Sequence, residues 1–164
     1  MDKFYGFSKE KKYLINNLKT KSLHNSIIFF GPKGIGKKTF IDNLLIEIYN
    51  LILNNNNHHH INLIKKQYHP NIRLINKEFD DKLKKYKKYI TIDQIRNLNN
   101  FFHESSINGM NKFIIIDSTD DLNVNASNAL LKILEEPKNN TYIFLISHNI
   151  SSVLPTIRST LLKN

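Results

Sequence analysis

Apolar residues along this chain come in two kinds of run. Short continuous runs, Ser26-Ile-Ile-Phe-Phe30, Ile72-Arg-Leu-Ile75, Lys112-Phe-Ile-Ile-Ile-Asp117 and Thr141-Tyr-Ile-Phe-Leu-Ile146, are rich in β-branched and aromatic side chains. Their length is that of strands, and their continuity suits strands covered on both faces, as in a parallel sheet. Between them, apolar positions recur at helical spacing. Tyr13, Leu14 and Leu18 mark a helix over about 9–18, and Ile41, Leu44, Leu45 and Ile48 mark one over 37–53. Ile92, Ile95, Leu98 and Phe102 predict a third helix to about His103, and Ala126, Ala129, Leu130 and Ile133 a fourth over 126–136. Ser8 and Asn125 are the expected N-caps of the first and last of these, Thr91-Ile-Asp-Gln94 has the form of a capping box, and Pro137 stops the fourth helix.

The remaining stretches carry weaker signals. The Asn run leading into His58, His59 and His60 is low in complexity and reads as a solvated loop, with adventitious metal binding as the alternative. His24 reads as a packing histidine. The charged segment 76–88 reads as an exposed loop and 105–111 as a turn. A short helix is expected over 151–157, and Leu161-Leu162 is expected to open a last strand. Strands alternating with helices predict one α/β domain over 1–164, with a three-layer parallel sheet. Ligands of such sheets sit at the carboxyl ends of the strands.

One loop on that edge carries chemistry. Gly31-Pro32-Lys33-Gly34-Ile35-Gly36-Lys37 follows the first strand at once and opens the second helix. In a phosphate-binding loop of this form, glycines let backbone N–H groups turn toward an anion, and the helix N-terminus adds partial positive charge. Lys37 would reach terminal phosphates. The next position wants Ser or Thr to hold magnesium; here it is Lys38, with Thr39 one place late. The loop is therefore a degenerate phosphate site or a tight strand-to-helix turn without a ligand. Asp117, at a strand end, has the place of a magnesium-organising Asp, or else caps a turn. Ser147 ends another strand on the same edge.

Composition narrows the class. Lys and Arg number 24 against 14 Asp and Glu, a formal net charge of +10, which allows contact with nucleic acid or another polyanion. Only Arg73, Arg96 and Arg158 are arginines, so a solvated lysine surface is the favoured reading of the charge. With no cysteine there is neither a disulfide nor a cysteine zinc site. No apolar run approaches the roughly 18 residues of a membrane span, and no signal-type stretch follows Met1. A cytoplasmic protein is expected.

At this point the chain resembles a known family, the delta-prime subunits of the bacterial DNA polymerase III clamp loader, in the form seen in alphaproteobacteria. The matching segments are Leu23-His-Asn-Ser-Ile-Ile-Phe-Phe-Gly-Pro-Lys-Gly-Ile-Gly-Lys37, His69-Pro-Asn-Ile-Arg-Leu-Ile75 and Ile90-Thr-Ile-Asp-Gln-Ile-Arg96. They continue with Ile116-Asp-Ser-Thr-Asp-Asp-Leu-Asn123, Asn125-Ala-Ser-Asn-Ala-Leu-Leu-Lys-Ile-Leu-Glu-Glu-Pro137, Ile146-Ser-His148 and Leu154-Pro-Thr-Ile-Arg-Ser159. The resemblance implies an AAA+ core with a degenerate Walker A loop. It implies a subunit of the ring that loads the sliding clamp on primed DNA, partnered by the other clamp-loader subunits and the clamp. Delta-prime members largely do not hydrolyse ATP. Lys38 fits that, as does Ser118, which stands where an active AAA+ member has Glu. No cofactor is then required, and ATP or phosphate binding is weak. Ser147 matches the family's first sensor position, and Arg158 and Ser159 fall in the subunit-contact segment. Thr160 stands where the family has its donated arginine. Relatives continue through a lid and a helical collar, so a truncated core is expected. An active ATPase using Thr39, and a regulatory fragment binding one replication partner, are the alternatives.

Overall fold

The computed structural model describes residues 6–53, 58–136, 138 and 140–163. They divide into two compact units, one from residues up to His24 together with Gly34–His69, the other from Asn25–Lys33 together with residues from Pro70 onward.

The first unit is helical: α1 (Ser8–Lys19), α2 (Lys37–Ile52) and α3 (His58–Lys65). In α2, Phe40, Ile41, Leu44, Leu45, Ile48 and Tyr49 are buried, the spacing of one broad apolar face. Helix α1 lies against α2, its Leu14 and Ile15 are buried, and Lys11 pairs with Glu47 at 2.6 Å. Ser8 is not the N-cap: it is already helical, and Phe7 occupies the cap with φ of 55°. The Phe7 ring meets Phe40 edge-on at 5.7 Å, which fixes the entry of the chain by packing instead of by a side-chain cap. The histidine run is a helix, not a loop. His60 stacks on Tyr49 (centroids 6.0 Å, 15° between planes), and that packing supplies what a short Asn/His sequence lacks in helix propensity. The Asn positions 54–57 lie outside the described residues.

The second unit holds a four-stranded parallel sheet of β1 (Ser26–Phe30), β2 (Ile72–Ile75), β5 (Lys112–Asp117) and β6 (Thr141–Ser147), in the order β1-β6-β5-β2. The central strands are buried along their length except at Asp117, as their unbroken apolar sequence requires. The expected loop over 76–88 contains a small hairpin, β3 (Phe79–Asp80) with β4 (Lys85–Tyr86), whose Phe79 and Tyr86 rings meet at 5.3 Å.

The helix expected after Thr91 is divided at Asn97 into α4 (Ile92–Arg96) and α5 (Leu98–His103). The capping box holds, with the Thr91 N–H donating to Gln94 Oε1 at 2.9 Å. Asn97, Asn99 and Asn100 favour local side-chain bonding over a continuous helix. The break lets Ile95, Leu98 and Phe101 face the core, so Phe101, not Phe102, is the buried ring. Helix α6 (Val124–Glu135) begins earlier than expected, because Asn123 is the cap: its Oδ1 accepts from the Ala126 N–H at 2.8 Å, and Asn125 is already helical. Its buried residues are Ala126, Ser127, Leu130 and Leu134. Pro137 lies outside the described residues. Leu161 and Leu162 are in helix α7 (Pro155–Lys163), not a strand. Pro155 opens that helix at the first position, where its missing N–H costs nothing, and Val153 and Ile157 anchor it in the core shared with Leu130, Ile116 and Leu145.

Candidate functional site

In the sheet register Phe30 lies beside Ser147, and Asp117 beside Ile146. The carboxyl ends of β1, β6 and β5 therefore line up, with Gly31 next in the chain after Phe30. Asp117 is half-buried at this edge. Gly31, Gly34 and Gly36 all have positive φ, of 149°, 90° and 88°, which is why this loop is written in glycine. Pro32, Lys33, Gly34 and Ile35 are exposed. Gly36 is the N-cap of α2, and its carbonyl accepts from the Phe40 N–H at 2.8 Å. Lys37 is buried, 8% exposed. The Lys38 ammonium pairs with Asp42 at 2.5 Å. Thr39 is exposed, and its carbonyl accepts from the Asn43 amide at 2.8 Å.

The most connected group of the strand edge is one that the sequence did not single out. The Asp120 carboxylate collects donors from Ser118 Oγ (2.7 Å), Ser147 Oγ (2.9 Å), the His148 N–H (2.6 Å), the Asn149 N–H (3.2 Å) and Ser152 Oγ (2.6 Å). Burial pushes Asp120 up, but the donors from Ser152, His148, Ser118 and Ser147 outweigh it and hold the carboxyl well below the usual range. Ser147 is fully buried, and its hydroxyl proton goes to Asp120. Thr119 Oγ1 donates to the Ile146 carbonyl at 2.7 Å. In the sequence, the only sign of this knot is Ser118 two places before Asp120; the other partners lie 27 to 32 residues away.

In α7, Arg158 is half-buried, and its Nε is enclosed without a hydrogen-bond partner among the described residues. The hydroxyls of Ser159 and Thr160 turn back to the Thr156 carbonyl, at 2.8 and 3.0 Å. An open groove of about 480 Å³ runs between α4, α5 and α6, with Ile92, Phe102, Ala129 and Ile133 on its apolar side and Arg96, Lys132, Glu136 and Lys138 among its polar residues. Away from the strand edge, His60 Nδ1 and His69 Nε2 share a hydrogen bond at 2.9 Å. Among the described residues, no group of three His, Cys, Asp or Glu is arranged to hold a metal ion, and no helix is long and apolar enough to cross a membrane.

The family described as DNA polymerase III, delta subunit, matches residues 7–162. The chain belongs to that family. It is 32% identical over 139 residues to DNA polymerase III subunit delta' of Pseudomonas aeruginosa, a match covering 82% of this chain and 40% of that protein. It is 29% identical over 154 residues to subunit delta' of Bacillus subtilis, covering 90% of this chain and 44% of that one. The mouse replication factor C subunit 3 is 24% identical over 165 residues, covering 93% and 45%. In fold, the chain is similar to a DNA polymerase III gamma subunit-related protein from Thermotoga maritima, with a TM-score of 0.59 at 21% identity, covering 90% of this chain and 44% of that one. The chain thus spans less than half the length of these relatives.

Proposed function

We propose that this chain is the AAA+ core of a delta-prime-like clamp-loader subunit that acts in bacterial DNA replication in the cytoplasm and does not itself hydrolyse ATP. The family match over residues 7–162 carries the assignment. Its partners are the other clamp-loader subunits and the sliding clamp, with primed DNA met through the complex. Helix α7, bearing Arg158 and Ser159, faces a neighbouring subunit.

Three local features support a silent nucleotide site. Lys38 is engaged with Asp42 and offers no hydroxyl to a magnesium ion. Ser118 has no carboxylate with which to polarise a water, and its hydroxyl donates to Asp120. Ser147 donates to the same carboxylate. The glycine backbone, in contrast, needs no side chain to hold an anion, so weak phosphate or ATP binding through residues 31–37 fits the same reading.

Purification of the tagged protein from its own cells tests the proposal. Clamp-loader subunits are expected to co-purify with it. Their absence, together with magnesium-dependent ATP turnover by the isolated chain, favours a free-standing ATPase instead.

A further inference from the structure

We propose that Asp120 is a positioning residue: its carboxylate fixes the turn over 147–152 and, through that turn, the start of α7. That α7 is a subunit-contact helix rests on the functional reading above; the placement of the turn does not.

The distribution of donors singles out this role. A carboxylate that only caps its own turn bonds to residues two or three places away. Asp120 does this with Ser118, but its other donors, Ser147, His148, Asn149 and Ser152, all belong to the far segment. Oδ1 faces Ser147, Asn149 and Ser152; Oδ2 faces Ser118 and His148. The Ser152 proton is shared with the Asn149 carbonyl at 2.6 Å, so the unshared long-range donors are the Ser147 hydroxyl and the two amides.

Apolar burial within the turn is only partial, at Ile150. From His148 to Ser152 no residue is fully buried. Val153 is the first core residue after β6, at 2% exposure. Besides Asp120, the turn's hydrogen bonds among the described residues are internal: Asn149 Oδ1 accepts from the Ser151 N–H at 3.1 Å, and the Asn149 carbonyl from the Ser152 N–H at 3.0 Å. Such local bonds shape a turn without anchoring it. Charge-assisted bonds from two backbone amides to one carboxylate are strong and directional, so they anchor it against the end of β5. Pro155 begins α7 three residues after Ser152, and a displaced turn displaces that first helical turn.

Asp120→Asn keeps the side chain's shape but replaces one acceptor oxygen with an NH₂ group that faces donors. Two readouts need no partner. Native-state hydrogen exchange follows the His148 and Asn149 amides against those of Ile143 and Leu145 in mid-β6. A nitroxide on Ser159→Cys, unique because the chain has no cysteine, reports on α7. In Asp120→Asn, protection at 148 and 149 is expected to fall at least tenfold while 143 and 145 change less than twofold, and the nitroxide spectrum gains a mobile component. Unchanged protection at 148 and 149, or an equal loss along all of β6, overturns the proposal. If Asp120→Asn does not fold, Ser152→Ala, at an exposed site, decides: a loss of about threefold confined to 148–152 supports the proposal, and no local loss overturns it. Either result stands apart from co-purification, which alone tests the clamp-loader reading.

Discussion

Lys38 and Asp42 are joined one helical turn apart on α2, ammonium to carboxylate at 2.5 Å. On the proposed reading, the place of a magnesium-binding hydroxyl is thus taken by a cation held by its own helix. Isolated protein is expected to turn over ATP far below the roughly 1 per second of a typical slow enzyme. Lys38→Thr restores the hydroxyl but not the missing carboxylate at Ser118, so the rate is expected to stay low. A phosphate-release assay measures this, with Lys37→Ala as control; magnesium-dependent turnover that Lys37→Ala abolishes would contradict it.

Weak anion binding is expected from the backbone of the loop. Gly36 has φ of 88° at the N-cap of α2, a conformation that disfavours any residue with a Cβ by about 1–2 kcal/mol. Calorimetry with phosphate and with ATP is expected to show weak binding that changes little with magnesium. Gly36→Ala is expected to weaken it further. Tight, strictly magnesium-dependent ATP binding is the opposite result.

The His60–His69 pair makes the helical unit sensitive to acid. His69 is 2% exposed, and burial, then the neighbouring His60 and His59, lower its pKa from 6.5 to about 4. The folded state therefore resists a proton that the unfolded chain accepts. Its contribution to stability is full above pH 6.5 and is lost as pH falls from about 6.5 toward 4. Melting curves of wild type and His69→Asn, recorded from pH 7.5 to 4.5, are expected to converge as pH falls. Parallel curves would show that His69 titrates normally.

Lys112 is a buried lysine, 6% exposed, at the start of β5. Its ammonium donates to the carbonyls of Phe101, at 2.6 Å, and Glu104, at the end of α5, and lies 4.9 Å from the Phe101 ring centroid. The cation closes the helix carbonyl end, where the dipole favours it. Lys112→Met keeps the length and leaves two carbonyls unpaired, for an expected loss of about 2 kcal/mol. Urea unfolding measures it, with the slope unchanged.

Two asparagines near the start of α6 differ in role. Asn123→Ala removes the acceptor for the Ala126 N–H and is expected to cost about 1 kcal/mol. Asn125→Ala, within the first turn and exposed, is expected to cost less than about 0.5 kcal/mol. The same urea titration separates them; the reverse order would move the cap to Asn125.

The runs from Ile27 to Phe30, Phe113 to Ile116 and Tyr142 to Ile146 announced their strands and the parallel sheet, because a strand covered on both faces has no polar residues to spare. The glycine loop announced itself too, since few other residues adopt its positive φ angles. Both signals are local: each needs only neighbouring residues to be read. What lay beyond the sequence was settled by contacts distant along the chain. The histidine run became helical because Tyr49 and His69 gave its rings something to pack on. Leu161 and Leu162 stayed in α7 because Val153 and Ile157 had already docked that segment in the core. Asp120, an acid that its place past a strand end had set aside, became the hub of the strand edge only when folding brought β6 and its turn beside β5. Hydrogen bonds across 27 to 32 residues leave no periodicity in a sequence, so their partners become visible only when the sheet is assembled.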